Sequence, residues 1–178
     1  MLSEKQEIRT YILEDLNSYK PDDKLKHETR LYTQLFNCQL WQDASTVAVT
    51  MSMENELNTQ PIIDMAINVG KKVFIPRVSK KDLLWFDYSK NRLSKSNFGI
   101  LEPNQEVNFA HSLNEIDLMI VPGVAFTPDN YRVGYGAGFF DRVLSEYSKD
   151  TISLVLPPQL IDNFSRNQWD MPVKNMLT

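Results

Sequence analysis

Ile116-Asp-Leu-Met-Ile-Val121, continued by Pro122-Gly-Val-Ala-Phe-Thr-Pro-Asp-Asn-Tyr-Arg-Val-Gly-Tyr-Gly-Ala-Gly-Phe-Phe-Asp-Arg142, is the stretch whose reading decides the fold. Its first six residues are a near-continuous apolar run with Asp117 inside it, the pattern of a buried strand. Gly134, Gly136 and Gly138 stand at alternate positions, where they allow sharp turns and close approach of backbone to a ligand. A helix from about Gly138 to Tyr147 follows. A strand, a glycine-rich turn and a helix in succession suit an α/β fold.

The rest of the chain extends this pattern in both directions. Ser3 to about Ser18 reads as a helix, with Ile8, Tyr11, Ile12 and Leu16 at helical spacing. Pro21-Asp-Asp23 stops it and opens a second helix from Asp22 to about Leu40. Val47 to Met51 is a short apolar strand. Thr59 can cap a helix that carries Pro61 in its first turn and runs to about Val69. Lys72 to Ile75 is a strand closed by Pro76, and Leu83 to Tyr88 is another. Ser89 to Asn108 is looser, with Asn, Ser, Gly and Pro scattered through it. Ile152 to Leu156 and Val173 to Leu177 complete the strands. Alternating strands and helices predict one α/β domain over residues 1–178, built on a mostly parallel sheet. Ligands in such sheets bind at the carboxyl ends of the strands.

Composition narrows the function. The chain has 178 residues, 42% of them hydrophobic and 24% charged, enough for a real core and too apolar for general disorder. A net charge of −4 offers no basic field, so no nucleic-acid partner is expected. No apolar run approaches the about 18 residues of a membrane span. Met1-Leu-Ser-Glu-Lys-Gln-Glu7 has no apolar signal core, and Cys38 alone cannot form a disulfide within the chain. These features predict a cytoplasmic, monomeric enzyme with no membrane partner. Cys38, His27 and His111 lack the spacing of a structural zinc site, though a hard cation on carboxylate and phosphate oxygens stays open.

The chemistry concentrates on the glycine-rich loop. Amides of Gly134 to Gly138 can form a concave nest for phosphate oxygens, reinforced by the N-terminal end of the following helix. Arg132 can clamp phosphate through two hydrogen bonds. Asp141 can hold magnesium that bridges phosphates. The bland alternative is a tight turn into a helix, with Arg132 and Asp141 paired on the surface. The loop is neither a Walker motif nor the dinucleotide fingerprint, because no Gly-Lys-Ser/Thr follows and the glycine spacing differs. Glu56, after the Val47 strand, could accept hydrogen bonds from a ring bearing N–H donors, or be a solvated loop residue. Lys5 and Arg9 share one helix face, which is uninformative alone.

Taken in order, these segments resemble the 5-formyltetrahydrofolate cyclo-ligase family, also called 5,10-methenyltetrahydrofolate synthetase. Val121 to Asp141 resembles the family's Pro-Gly-x-Ala-Phe…Arg-Leu-Gly-x-Gly-x-Gly-Tyr-Tyr-Asp signature. Lys5-Gln-Glu-Ile-Arg9, Ser52-Met53 with Glu56 and Thr59, Phe98-Gly-Ile-Leu-Glu-Pro103, and Gln159 with Asp170-Met-Pro-Val173 support it. The resemblance implies a three-layer α/β/α sandwich, Rossmann-like. It implies ATP- and magnesium-dependent ring closure of 5-formyltetrahydrofolate to 5,10-methenyltetrahydrofolate through a phosphorylated formyl group, releasing ADP and phosphate. Carried onto this chain, it implies that Lys5, Gln6, Glu7, Ile8 and Arg9 bind ATP. Arg132, Val133, Gly134, Tyr135, Gly136, Ala137, Gly138, Phe139 and Phe140 wrap its phosphates, with Lys5 and Arg132 as catalytic cations. Arg9, Met51, Glu56 and the span Tyr135 to Phe139 contact the folate. Asp141 ligates magnesium.

The chain also departs from the family's pattern. Asn130 stands where glycine is common, Tyr135 where a basic residue is common, and Phe139 and Phe140 where tyrosines are common. Lys174 stands where an aspartate is frequent, which leaves a metal to Asp141, phosphates and water. Two rivals follow: a sugar-phosphate isomerase or CoA transferase on a similar scaffold, and a non-catalytic folate or nucleotide binding module.

Overall fold

From the N terminus the elements are α1 (Glu4–Ser18), α2 (Pro21–Asn37), α3 (Gln39–Asp43), β1 (Thr46–Ala48), α4 (Gln60–Asn68), β2 (Lys72–Ser79), β3 (Asp82–Asp87), β4 (Leu93–Lys95), β5 (Leu101–Pro103), β6 (Leu118–Ile120), β7 (Ala125–Phe126), β8 (Arg132–Val133), α5 (Phe139–Glu146), β9 (Asp150–Leu154) and β10 (Asn175–Leu177). The computed structural model describes residues 2–96, 99–104, 106–107 and 109–178. Phe98 and Asn108, quoted above, lie outside the described residues.

Six strands form one sheet in the order β10-β9-β6-β1-β2-β3. All its pairings are parallel except β2 with β3, which form an antiparallel hairpin. Alternation along the strands sorts the core into two halves. Val47, Val73, Ile75, Leu118 and Ile120 pack with Ile12, Leu16, Leu31, Leu35, Ile62 and Ile63 from α1, α2 and α4. Their neighbours Ala48, Phe74 and Met119 pack with Val143 and Leu144 from α5 and with Tyr147 just beyond it. Because successive side chains point to opposite faces, a strand buried on both sides must be apolar throughout. The result is the expected α/β/α sandwich.

The sheet reverses its winding between β1 and β6. From β1 the chain adds β2 on one side, and later adds β6 on the other. The loops leaving these two strands therefore diverge and leave a crevice at their carboxyl ends. Met51 and Glu56 lie on the loop after β1, and the glycine-rich loop lies on the connection after β6.

Several boundaries differ from the sequence reading. The second helix ends at Asn37, not near Leu40, because Cys38 is extended (φ −78, ψ 149) and a separate helix follows. That break lets Trp41 turn into the core, 3% exposed, against Phe36 at 5.1 Å between ring centroids. β1 stops at Ala48, short of Met51. Thr59 does not cap α4 through its side chain; its Oγ1 donates to the Thr50 carbonyl at 2.7 Å and folds the loop after β1 back on itself. β9 spans Asp150–Leu154, two residues earlier than read.

Pro76 does not close β2. Val73 and Tyr88 form a hydrogen-bonded position, with the Tyr88 amide on the Val73 carbonyl at 2.8 Å. Antiparallel pairs alternate, so Pro76, opposite Trp85, falls at a non-hydrogen-bonded position where β3 needs no donor. Beyond it, the loose segment from Ser89 contains the β4–β5 hairpin. Three-residue strands carry no alternation that periodicity could detect. Arg77 anchors the hairpin's exit by donating from Nη1 to the Asn104 carbonyl at 2.6 Å.

Candidate active site

The crevice opens into a cavity of about 1100 Å³. One wall is apolar, formed by Pro76, Val78 and Leu83 of the β2–β3 hairpin with Ile100 and Leu101 beside β5. The opposite wall carries charge. Residues 132–142 line the cavity, as do Lys5, Arg9, Met51 and Glu56. Gln6, Glu7 and Ile8 do not: Gln6 Oε1 accepts from the Ser3 amide at 2.9 Å, Glu7 is exposed, and Ile8 packs on the core. Helical spacing explains the division, since residues four apart share a face and those between do not.

The glycine-rich loop takes its shape from the residues that follow β8. Asn130, at φ +68, makes the left-handed turn before that strand, the conformation asparagine tolerates. Gly136 has φ +110 and Gly138 φ +67, both in the left-handed region. Gly138 precedes α5, whose first-turn residues Phe139, Phe140 and Asp141 line the cavity and whose first-turn amides have no partner within the helix. Gly134 differs, because a Cβ placed there meets nothing within 4 Å. Its lack of a side chain leaves open space on a cavity-lining backbone.

Arg9 lies over this loop. Its Nε donates to the Gly134 carbonyl at 2.6 Å, and its guanidinium carbon is 3.6 Å from a Cβ built on Gly136. It has no acidic partner among the described residues. Lys5 does have one: its Nζ lies 2.6 Å from both Asp170 carboxylate oxygens. Arg132 is only 4% exposed, so its pairing with Asp141 is internal and not the surface pair of the bland reading. Its Nη1 donates to Asp141 Oδ1 at 3.2 Å and to the Met171 carbonyl at 2.8 Å, while its buried Nε has no partner among the described residues. Burial pulls the Arg132 pKa down, and the Asp141 charge opposes that. A permanently charged guanidinium behind the loop raises the potential felt by any phosphate in front of it.

Glu56 joins the loop after β1 to this site. Its Oε2 accepts from the Met53 amide at 2.6 Å, and its Oε1 accepts from the Tyr135 hydroxyl. Burial raises the Glu56 pKa despite these two donors. Burial also raises the Tyr135 pKa, so its hydroxyl stays a donor. Phe140 packs edge-on against Trp85, and Arg142 covers the Phe139 ring at 5.2 Å. The rings at 139 and 140 are therefore held by packing, which needs no tyrosine hydroxyl.

Magnesium fits this site only in company. Asp141 Oδ1 accepts from Arg132 and from the Met171 amide, whereas Oδ2 has no hydrogen-bond partner among the described residues. No cluster of three or more acidic, histidine or cysteine groups suited to a metal exists among the described residues. One free carboxylate oxygen can complete a shell made mostly of phosphate and water oxygens, as hard cations accept. Lys174 does not interfere, because its Nζ donates to the Ser148 carbonyl and it lies off the cavity.

Among the cavity residues that the sequence does not mark as functional, three stand out. Asp170, which in sequence is only part of a motif, holds Lys5. Trp169, beside it, carries no sequence signal and lines the cavity. Arg142 ties the glycine-rich loop to the β2–β3 turn by donating to the Ala137 and Lys81 carbonyls. No spacing rule connects residues so far apart, so only the fold reveals them.

Comparison with known proteins gives a consistent result. A family model described as the 5-formyltetrahydrofolate cyclo-ligase family matches residues 1–178. The 5-formyltetrahydrofolate cyclo-ligase of Escherichia coli K12 is 33% identical over 142 residues, covering 76% of this chain and 78% of that protein. That of Haemophilus influenzae is 28% identical over 180 residues, covering 97% and 96%. Among solved structures, the 5,10-methenyltetrahydrofolate synthetase of Aquifex aeolicus superposes with a TM-score of 0.84 at 23% identity, covering 97% of this chain and 88% of that one. The synthetase of Mycoplasma pneumoniae gives 0.77 at 21%, covering 98% of each. At these identities the two structures establish a shared fold.

Proposed function

This chain belongs to the 5-formyltetrahydrofolate cyclo-ligase family, and from that premise we propose that it uses ATP to close 5-formyltetrahydrofolate into 5,10-methenyltetrahydrofolate, with residues 1–178 acting as one domain. The observation that carries this reading is one cavity lined by both a phosphate-type loop and Glu56, which meet at the Tyr135 hydroxyl. Its volume of about 1100 Å³ stands at the top of the roughly 300–1,000 Å³ range of ligand sites. Two ligands side by side are what an ATP-driven ring closure needs.

The division of labour follows from the chemistry of the walls. Glu56 and Met51 hold the folate ring, with the carboxylate accepting ring N–H groups and the thioether packing against the flat face. The amides of Gly134 to Gly138, with Arg9 and Lys5, hold the triphosphate. Arg132, behind the loop, stabilises charge that develops on the transferred group. Asp141 offers Oδ2 to magnesium, which when bound neutralises phosphate charge.

The formyl oxygen on N5 attacks the γ-phosphorus, and the bond to the β–γ bridging oxygen breaks to release ADP. The formyl carbon then carries a phosphate leaving group in place of a poor oxide. N10 attacks that carbon, loses its proton, and the carbon–oxygen bond breaks to release phosphate. The protein supplies alignment and charge and forms no covalent bond. A formyl group labelled with ¹⁸O tests this directly: the label is expected in the released phosphate. Label in water alone would rule out the phosphorylated intermediate.

A further inference from the structure

The chain's three tryptophans fall into two classes. Trp41 and Trp85 are 3% and 1% exposed, whereas Trp169 is 71% exposed although it lines the cavity. Burying a large apolar side chain stabilises a protein by roughly 1.5–3 kcal/mol. An indole left in water at a ligand cavity gives up that gain.

Its backbone is fixed. The Trp169 amide donates to Asn167 Oδ1 at 2.9 Å, the Asn167 amide to Asp170 Oδ2 at 2.7 Å, and the Asp170 amide to the Asn167 carbonyl at 3.1 Å. Two residues on, Met171 is tied to Asp141 and Arg132 through its amide and carbonyl. The indole is thus presented from a turn that is bonded to the phosphate side of the site.

We infer that Trp169 is the stacking face for the base of the bound nucleotide. This rests on the ATP-dependent reading above. A nucleoside triphosphate has a charged end and a flat aromatic end. The charged end matches Lys5, Arg9 and the glycine-rich loop, and Lys5 is bonded to Asp170, the residue next to Trp169. Of the cavity's other rings, Phe139 lies under Arg142 and Phe140 against Trp85, while Tyr135, 42% exposed against 71% for Trp169, is tethered through its hydroxyl to Glu56. Every nucleobase has a π face, so a free indole supplies affinity through stacking. Gln168 has no hydrogen-bond partner among the described residues and offers an amide donor and acceptor to the base edge.

The test compares wild type, Trp169→Phe and Trp169→Ala by calorimetric titration with ATP, with inorganic tripolyphosphate and with 5-formyltetrahydrofolate. Trp169→Ala is expected to weaken ATP binding about tenfold or more, the scale of losing one stacked base. Its affinities for tripolyphosphate and 5-formyltetrahydrofolate stay unchanged, and Trp169→Phe retains most of the ATP affinity. ATP also quenches wild-type tryptophan emission, and Trp169→Phe abolishes the quench. Unchanged ATP affinity in Trp169→Ala overturns the inference and leaves the cyclo-ligase reading standing, as does an equal loss for tripolyphosphate or a loss confined to folate. Wild-type protein that turns over folate without binding ATP overturns both.

Discussion

The hydroxyl of Tyr135 donates to Oε1 of Glu56, joining the glycine-rich loop to the loop after β1 at one half-buried carboxylate. The two halves of the site, 79 residues apart in sequence, are in direct contact there. Burial raises the Glu56 pKa above its ordinary value, with Tyr135 and the Met53 amide pulling the other way. The ionised form is the better acceptor for ring N–H groups. Folate use should therefore fall as pH drops through a value above the usual carboxylate range.

Glu56→Gln is expected to lower kcat/KM for folate about tenfold or more, the worth of a charge-assisted hydrogen bond, with little change in KM for ATP. The acid limb of its pH profile should vanish. The sign for stability is opposite. A carboxyl whose pKa is raised on folding loses stability as pH rises through that pKa, so Glu56→Gln should melt no lower than wild type at neutral pH. Steady-state kinetics against pH and thermal melts check both halves. A matching rise in KM for ATP would remove Glu56 from the folate subsite.

Arg132→Ala should harm both ATP use and stability. It removes the donor to Asp141 and to the Met171 carbonyl. The loss is on the order of 2 kcal/mol, a drop in Tm of about 4–8 °C for a chain of this size. Arg132→Lys keeps the charge but cannot make both contacts from one planar fork, so it should recover only part of each loss. An unchanged Tm for Arg132→Ala would show that the Asp141 contact is idle.

Two glycines of one loop should answer differently to the same substitution. Gly136→Ala forces a side chain onto φ +110, while its Cβ would sit in ordinary contact with Arg9 at 3.6 Å. Backbone strain, about 1–2 kcal/mol, is the expected cost. Gly134→Ala meets open space and should leave the melting temperature unchanged. If the phosphates approach this backbone, Gly134→Ala still raises KM for ATP several-fold. Unchanged KM for ATP in both variants would contradict the phosphate nest.

His111 sets a pH dependence away from the site. Its Nδ1 lies 2.9 Å from Glu115 and its Nε2 3.0 Å from Asp87, with the ring stacked on Phe74 at 4.2 Å. Partial burial alone would lower its pKa, but the bonds and charges of Glu115 and Asp87 together raise it. A raised histidine pKa stabilises the fold fully below the unfolded value near 6.5, and the contribution is lost as pH rises through the folded pKa. Urea unfolding of wild type against His111→Gln should differ most in mildly acidic buffer and converge in alkaline buffer. A gap that widens with pH would reverse the assignment.

Much of this was legible in the residues. Helical spacing identified α1, Pro61 in a first turn identified α4, apolar runs identified the central strands, and alternate glycines identified the loop at Gly134 to Gly138. Lys5, Arg9 and Glu56 were individually ambiguous, since a charged helix face and a loop glutamate are usually solvated. The winding reversal between β1 and β6 brings Glu56 to the glycine-rich loop, and the packing of α1 brings Lys5 and Arg9 to the same cavity. What periodicity could not show has physical causes. Pro76 sits in a register position that needs no donor, and Cys38 breaks a helix so that Trp41 can be buried. β4 and β5 are too short to alternate. Asp170 matters through Lys5, 165 residues away, and Trp169 through the cavity it lines, both beyond any local pattern.

The central claim is that this cavity spends ATP to close the folate ring. Purified protein with 5-formyltetrahydrofolate and magnesium, followed in the near ultraviolet with and without ATP, tests it most directly. The account predicts that 5,10-methenyltetrahydrofolate forms only when ATP is present, with one phosphate released per product. Product formed equally well without ATP, or folded protein that forms none with it, would contradict the account.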